Sequence, residues 1–199
     1  MLYKKLKDDE IYKINIDDYE VEFTSCGLTT LAKIQEGKRF YYHSNGNIMG
    51  EASLLAREWY SPDKSDYIVF GLGFGYHIME LAEIDESITI HIYENDWNVL
   101  RLAFYYSDLG NLLSSDRILI HFDLRFEELN EKIKNIDKET AFVMHYPSIR
   151  NIKVEPIKQQ LEDIFITYSS ISNQFDELTR NFRINIKNYD YFVDELKKD

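Results

Sequence analysis

The chain has 199 residues, of which 44% are hydrophobic and 15% are aromatic, so it can bury a substantial core but cannot hold two full catalytic domains. Lysine and arginine total 23 against 35 aspartates and glutamates, and the net charge of −12 argues against a nucleic acid or an anionic membrane as partner. A single cysteine, Cys26, excludes an intramolecular disulfide.

The first 47 residues predict a small antiparallel β-meander. Alternating apolar and polar residues and short apolar runs indicate strands over four segments: Ile11–Ile16, Tyr19–Phe23, Leu31–Ile34 and Arg39–Tyr42. The pair Glu36-Gly37 lies between the last two segments and is typical of a tight hairpin turn. We therefore expect residues 1–47 to form a β-meander subdomain.

Residues 48–152 predict a Rossmann-like α/β core. A helical pattern over Ile48–Tyr60 is followed by four apolar strand patterns: Tyr67–Phe70, Thr89–Tyr93, Ile118–Phe122 and Ala141–Met144. Helical patterns separate these strands: Ile78–Ala82, Asp96–Tyr106 and Phe126–Ile136. Strands that alternate with helices favour a doubly wound parallel sheet with right-handed crossovers, so the predicted fold class is α/β.

The C-terminal region, residues 153–199, predicts helices alone. From Val154 onward apolar residues recur at helical spacing, and the pattern indicates two helices and no further strand. We expect this region to be a connection into a further domain.

The clearest chemical motif is a glycine turn, Gly71-Leu72-Gly73-Phe74-Gly75, placed where the first predicted parallel strand meets its helix. Glycines let a backbone approach a ligand closely, and the following helix N-terminus offers free N–H groups. A dinucleotide fingerprint needs its third glycine at position 76, where Tyr76 stands. The G-x-G-x-G spacing instead resembles the turn of S-adenosylmethionine-dependent methyltransferases. A purely structural turn that packs helix against strand is the alternative.

An acidic residue, Glu94, ends the next predicted strand. It follows Gly71 by roughly the 20 residues at which an acidic side chain in such folds accepts hydrogen bonds from ribose hydroxyls. We therefore predict a cleft for a ribose-bearing ligand between the glycine turn and the Glu94 carboxylate. The predicted binding residues are Gly71, Gly73, Gly75, Tyr76, His77 and Glu94.

Catalytic residues are not assigned by any spacing in the chain. His77 lies on the first helical turn after the glycines, where ligand contact competes with capping or packing. His121, Asp123 and His145 lie at predicted strand ends, where α/β enzymes place functional groups, whereas His91 is expected in the core. No nucleophile–base pair and no metal-ligand spacing is evident, so no metal site is predicted.

The order of several segments resembles that of one known family. The segments are Gly27-Leu28-Thr29-Thr30-Leu31, Tyr41-Tyr42-His43-Ser44, Glu51-Ala52, Val69 to His77 and Tyr93-Glu94. In this order they look like the N-terminal region of the motility-associated-factor (Maf) glycosyltransferases, over about Gly27 to Pro147. One departure is Asn45 to Gly50, which lacks the proline that family members usually carry after His-Ser.

The resemblance implies a bacterial protein that takes part in modifying flagellin with nonulosonic acids such as pseudaminic or legionaminic acid. In such proteins a sugar-transfer domain follows this region, so transferase activity is not expected of these residues. The expected partner is that C-terminal glycosyltransferase domain or a protein substrate such as flagellin, and the expected ligand is a nucleoside, S-adenosylmethionine or a nucleotide-sugar.

Two other functions stay open. A stand-alone S-adenosylmethionine-dependent methyltransferase would use the glycine turn and Glu94, although such enzymes typically continue the sheet beyond the fourth strand. A noncatalytic protein-interaction module would use the acidic surface, with the glycine turn serving packing alone.

The remaining sequence features indicate a cytoplasmic protein. The N-terminus has no apolar leader, and no run approaches the roughly 18 apolar residues of a spanning helix. The single cysteine is compatible with a reducing compartment. An oligomeric assembly is left open.

Overall fold

The computed structural model describes residues 18–196, and for residues 111, 179 and 181–196 it describes the backbone alone. The N-terminal layer of this part is an antiparallel sheet in the order β1-β2-β3, formed by Tyr19–Phe23, Thr29–Gln35 and Lys38–Tyr41. Glu36 and Gly37 join β2 to β3 and both have positive φ, as a two-residue hairpin turn requires. The predicted meander is confirmed over these residues, whereas the predicted strand Ile11–Ile16 lies outside them.

A helix leads from the meander into the second sheet. This helix, α1, spans Ile48–Trp59 and begins at the N-cap Asn47, whose side chain accepts a hydrogen bond from the Gly50 amide at 3.1 Å. The Ser44 amide donates to the Glu51 carboxylate at 2.8 Å, so a second hydrogen bond also fixes the first turn of α1. These bonds fix the path of the chain just after His43.

The second sheet has four parallel strands in the order β6-β5-β4-β7. Its strands are β4 Asp66–Phe70, β5 Thr89–Glu94, β6 Ile118–Phe122 and β7 Thr140–Met144. The connecting helices are α2 Tyr76–Ile84, α3 Trp97–Tyr106, α4 Gly110–Leu113 and α5 Glu127–Lys134, and α6 Tyr146–Arg150 follows β7. The predicted α/β fold class, with a meander before a Rossmann-like sheet, is confirmed.

Both faces of the parallel sheet are covered, as the unbroken apolar run of β4 predicts. Tyr67 and Val69 point to a core shared with α1, α2, α3 and the meander. Ile68 and Phe70 point to a second core, shared with α5 and with the first turns of the C-terminal helix. The strand ends are therefore the part of the sheet where a functional site can form.

The C-terminal region differs from the prediction. One continuous helix, α7, spans Glu155–Leu196, where the sequence pattern had indicated two. Leu161 and Ile164 bury it against the second core. Across the residues that the structure describes, α7 included, no helical segment combines the length and apolar character needed to cross a membrane.

Candidate functional site

The glycine turn lies at the point where the order of the parallel strands reverses. β4 carries β5 on one side and β7 on the other, and in doubly wound sheets the ligand crevice opens at this position. Gly71, Gly73 and Gly75 all have positive φ, from 49° to 97°, so the turn needs the conformational freedom of glycine. The sequence therefore placed the turn at the right point of the fold.

Side chains of the protein itself fill the space in front of this turn. A Cβ atom placed on Gly71 would lie 2.5 Å from the Ser148 side chain, and one placed on Gly73 would lie 2.5 Å from His43 Nε2. The Phe74 amide donates to the same His43 nitrogen at 2.8 Å. Among the described residues, the groups that approach the backbone of these two glycines closely are therefore side chains of the protein itself.

Three histidines form the centre of this packing. His43 follows the meander, His77 lies on the first turn of α2, and His145 follows β7. All three are buried, and the rings of His77 and His145 stack with centroids 4.3 Å apart and planes within 9°. The His43 ring lies 5.2 Å from that of His145 and 5.5 Å from that of His77. We call this group the histidine cluster.

Hydrogen bonds define which ring nitrogens carry protons in His77 and His43. His77 Nε2 lies 3.0 Å from the Gly71 carbonyl oxygen, which only accepts, so Nε2 carries the proton and Nδ1 the lone pair. His43 Nε2 accepts from Phe74, so its proton lies on Nδ1. His145 Nδ1 lies 2.9 Å from Ser148 Oγ. His77 Nδ1 and His145 Nε2 are buried and have no hydrogen-bond partner among the described residues.

Burial keeps the cluster uncharged. Loss of hydration lowers the pKa of His77 to about 4, against 6.5 for the free side chain. The same cause, together with repulsion from His77, holds the pKa values of His43 and His145 well below their usual range. At neutral pH the cluster therefore presents three neutral imidazoles.

Glu94 lies beside the glycine turn, at the end of β5. Its carboxylate accepts hydrogen bonds from the amides of Leu72 at 3.0 Å, Asn95 at 3.0 Å and Asp96 at 2.9 Å. Burial, with the nearby Asp96 charge, raises the pKa of Glu94 to about 7 despite these bonds. The structure brings this predicted site residue to the turn, but three of its acceptor positions are taken by the backbone.

An open cavity of about 340 Å³ adjoins Glu94. Its polar lining includes seven residues: Lys33, Glu94, Asn95, Asp96, Ser148, Asn151 and Lys153. Lys33 Nζ binds Asp96 Oδ2 at 2.8 Å, and Tyr19 donates to the same oxygen. The cavity lies at the carboxyl ends of the strands and carries both signs of charge.

The other sequence candidates have structural partners. The Tyr76 hydroxyl donates to the Thr29 carbonyl at 2.8 Å and so ties α2 to the meander. Asp123 caps α5 by accepting from the amides of Glu127 and Leu129. His91 is half-buried and lies 3.2 Å from His121 between ring nitrogens, so it belongs to a sheet surface and is not the core histidine that was expected.

His43 and His145 were not among the predicted ligand-site residues. Each follows the last residues of a strand, but neither has a metal-ligand or catalytic spacing to the others, because the meander, β4 and β7 are far apart in sequence. The one signal available was the strand-end position of His145.

This geometry defines the protein as a doubly wound α/β domain in which side chains fill the space in front of the glycine turn. The sequence model of the family described as the glycosyltransferase Maf N-terminal domain matches residues 1–117, more than half of the chain. The chain belongs to this family, as the motif order from Gly27 to Glu94 predicts. No curated protein gives a significant match.

Solved structures with a similar chain path include two spermidine synthases and one further protein. Spermidine synthase from Thermotoga maritima has 12% identity and a TM-score of 0.42, with 71% of this chain and 58% of that one covered. A spermidine synthase in complex with the transition state analogue AdoDATO has 15% identity and a TM-score of 0.44, with 71% and 57% covered. MNMC2 from Aquifex aeolicus has 16% identity and a TM-score of 0.34, with 60% and 46% covered. The chain thus spans about half the length of these proteins.

Proposed function

We propose that this domain is a noncatalytic accessory domain of a Maf-type bacterial system that glycosylates flagellin with a nonulosonic acid in the cytoplasm. The observation that carries the proposal is the filled crevice: His43, His145 and Ser148 occupy the space in front of the glycine turn. A methyltransferase with this fold needs that space for its cofactor. Membership of the Maf N-terminal family supplies the link to sugar transfer.

The chemistry of the crevice supports a noncatalytic role. His145 Nδ1 lies 2.9 Å from Ser148 Oγ, the separation expected of a base and a hydroxyl nucleophile, although the geometry leaves the direction of the hydrogen bond open. Both are buried, and Ser148 borders the 340 Å³ cavity with only 5% of its surface exposed, so the pair offers a substrate little surface. The pair therefore holds β7 against β4.

The ligand of this proposal, a nucleoside or nucleotide-sugar, is assigned to the 340 Å³ cavity beside Glu94. Asn95 and Asp96 offer acceptors and a donor for sugar hydroxyls, and Lys153 in the lining offers a cation for a phosphate. The proposed partner, a sugar-transfer domain or flagellin, is assigned to α7, on which Phe165, Ile166 and Leu178 expose apolar side chains.

The first test measures binding by the purified chain. Titration calorimetry with S-adenosylmethionine should give no heat of binding, whereas a nucleotide-activated nonulosonic acid should bind. The variant Lys153→Glu should weaken that binding about tenfold, because a phosphate contact is replaced by repulsion. Lys138→Glu, an exposed charge reversal outside this cavity, is the control. Binding of S-adenosylmethionine would contradict the proposal.

The second test separates an accessory role from catalysis. Deletion of the gene should remove the glycan mass from flagellin, measured by intact mass spectrometry, and the gene in trans should restore it. The purified chain alone should transfer no sugar from the activated donor to unmodified flagellin. Sugar transfer by the chain alone, or an unchanged flagellin mass in the deletion strain, would count against the proposal.

A further inference from the structure

The histidine cluster contains more nitrogen lone pairs than the protein uses. His77 Nδ1 must be unprotonated because Nε2 donates to Gly71, and Nδ1 has no partner within the described structure. His145 Nε2 is likewise buried and makes no hydrogen bond of standard geometry there, although the His145 imidazole also interacts with the Tyr42 backbone. Leaving a buried polar atom unpaired costs about 1–3 kcal/mol, so two in one cluster call for an explanation.

Hydrogen bonds on the opposite ring nitrogens orient the imidazoles as metal ligands usually are. A metal-binding histidine donates its other N–H to a carbonyl, carboxylate or hydroxyl, which fixes the tautomer. His77 does so to the Gly71 carbonyl, and His145 Nδ1 has Ser148 Oγ at 2.9 Å. If His145 donates there, its Nε2 also carries a lone pair.

The third histidine faces the same space. A Cβ atom on Gly73 would lie 2.5 Å from His43 Nε2 and 3.5 Å from His145 Cε1, so both rings converge on the gap that this glycine leaves. One nitrogen from each of the three histidines lies within 4.8 Å of the other two.

We propose that His43, His77 and His145 form a binding site for a divalent transition-metal ion, with Zn²⁺ as the ion that suits three imidazole ligands. Zn²⁺ binds imidazole nitrogen at about 2.0–2.1 Å, and sites with three histidines keep a fourth position open. Ca²⁺ and Mg²⁺ prefer oxygen ligands, and the three side chains of the cluster offer only nitrogen.

Binding requires the rings of the cluster to move. Tetrahedral ligands at this bond length lie about 3.4 Å apart, so the nitrogens must approach one another and the stacked rings of His77 and His145 must tilt. His43 Nε2 must exchange its hydrogen bond with the Phe74 amide for the metal bond.

A surface cleft borders the cluster at His43. This cleft, of about 280 Å³, is lined by His43 together with Ser44, Glu51 and Arg150. Glu51 supplies a half-buried carboxylate at the route that the ion would take. An ion entering here meets His43 first, which is the ligand whose bond must exchange.

The test titrates the tag-free, metal-depleted chain with Zn²⁺ by calorimetry and with Co²⁺ by visible absorption. We expect one ion per chain and the intense visible bands of four-coordinate Co²⁺. His145→Gln and His77→Gln should each weaken binding by at least about 100-fold, since each removes a ligand. The double variant His91→Gln/His121→Gln removes the other histidine pair and should bind as the wild type does.

A second measurement uses NMR and leaves the histidine cluster intact, so it does not depend on whether variants of the cluster fold. The ring-nitrogen NMR resonances of three histidines should shift with one equivalent of Zn²⁺. The resonances of the other two histidines, identified by their absence from the His91→Gln/His121→Gln variant, should not shift. An absence of stoichiometric binding by the wild type would overturn the proposal. So would shifts confined to His91 and His121, or Co²⁺ spectra unchanged in folded His145→Gln.

Discussion

Gly73 shows at the scale of a single residue why the turn is made of glycine. Its φ of 49° is one constraint, and the 2.5 Å that would separate an added Cβ atom from His43 Nε2 is another. Gly27 has the first constraint, with φ of 81°, but nothing lies within 4 Å of its Cβ position. The two glycines therefore form a matched pair in which only the packing differs.

Gly73→Ala should destabilise the fold more than Gly27→Ala. Both variants strain the backbone, but only the first forces a methyl group onto a buried imidazole, which costs about 1–3 kcal/mol in addition. Urea unfolding followed by circular dichroism would give both free energies of unfolding. Equal losses in the two variants would mean that His43 does not pack against the turn.

His77 and Glu94 make opposite contributions to the pH dependence of stability. The pKa of His77 is lowered from 6.5 to about 4, so as pH falls the unfolded chain binds a proton at this residue before the folded chain does. The contribution of His77 to the free energy of unfolding is therefore lost as pH falls from 6.5 to 4. The pKa of Glu94 is raised from 4.5 to about 7, so its contribution is present below 4.5 and lost as pH rises to 7. Each shift corresponds to about 3 kcal/mol, and between pH 4.5 and 6.5 they offset each other.

Glu94→Gln should therefore make the protein more sensitive to acid. Without the opposing carboxyl group, the free energy of unfolding should fall more steeply between pH 6.5 and 4.5 than in the wild type, because protonation of the unfolded histidines is no longer offset. Urea unfolding at a series of pH values measures the slope. Glu58→Gln, on an exposed residue of α1, should keep the wild-type slope; an equal slope in Glu94→Gln would show that Glu94 does not titrate differently on folding.

At the scale of the element, α7 is a helix whose beginning belongs to the core. At 1.5 Å per residue its 42 residues extend about 63 Å, far beyond the sheet. Ile164 is 3% exposed and packs in the second core, whereas Ile166 is 64% exposed. The two isoleucines are close in sequence and equal in helix propensity, so they isolate the effect of burial.

Ile164→Ala should destabilise the protein by about 2–4 kcal/mol, and Ile166→Ala by no more than about 0.5 kcal/mol. The first leaves a cavity between α7 and the sheet, and the second removes a side chain that faces solvent. Thermal unfolding of both variants measures the difference. Comparable losses would mean that the rotation of α7 on the core differs from the one described.

At the scale of the whole molecule, a few polar contacts join the meander to the parallel sheet. Lys33 on β2 binds Asp96 at 2.8 Å, with side chains 11% and 21% exposed, and Asp96 also caps α3 by accepting from the Asn98 amide. Thr29 donates to the Tyr106 carbonyl at 2.7 Å. Because these contacts connect two sheets, we expect the described layers to unfold as one unit.

A double-mutant cycle of Lys33→Met and Asp96→Asn should give a coupling energy of about 1–3 kcal/mol. Each single change leaves a mostly buried charge without its partner, whereas the double change removes both charges. The exposed pair Lys134 and Glu131 on α5 is the control, and its coupling should stay below about 0.5 kcal/mol. Similar coupling in both pairs would contradict a structural role for the Lys33–Asp96 contact.

The sequence by itself determined the fold class, the order of the described strands along the chain and the family. These depend on local patterns: the apolar run of β4, the glycines after it, and the motif order from Gly27 to Glu94. Helical periodicity could not determine that α7 is one helix, because a break between two helices depends on what each half packs against.

The tertiary structure alone decided what stands in front of the glycine turn. Gly71, Gly73 and Gly75 look the same in sequence whether a ligand or a side chain approaches them. A glycine indicates that the backbone is closely approached there, but it does not indicate by which group. His43, His77 and His145 come from the end of the meander, α2 and the end of β7, and no sequence spacing connects them. Their meeting follows from the position of β4 between β5 and β7, which is a property of the folded sheet.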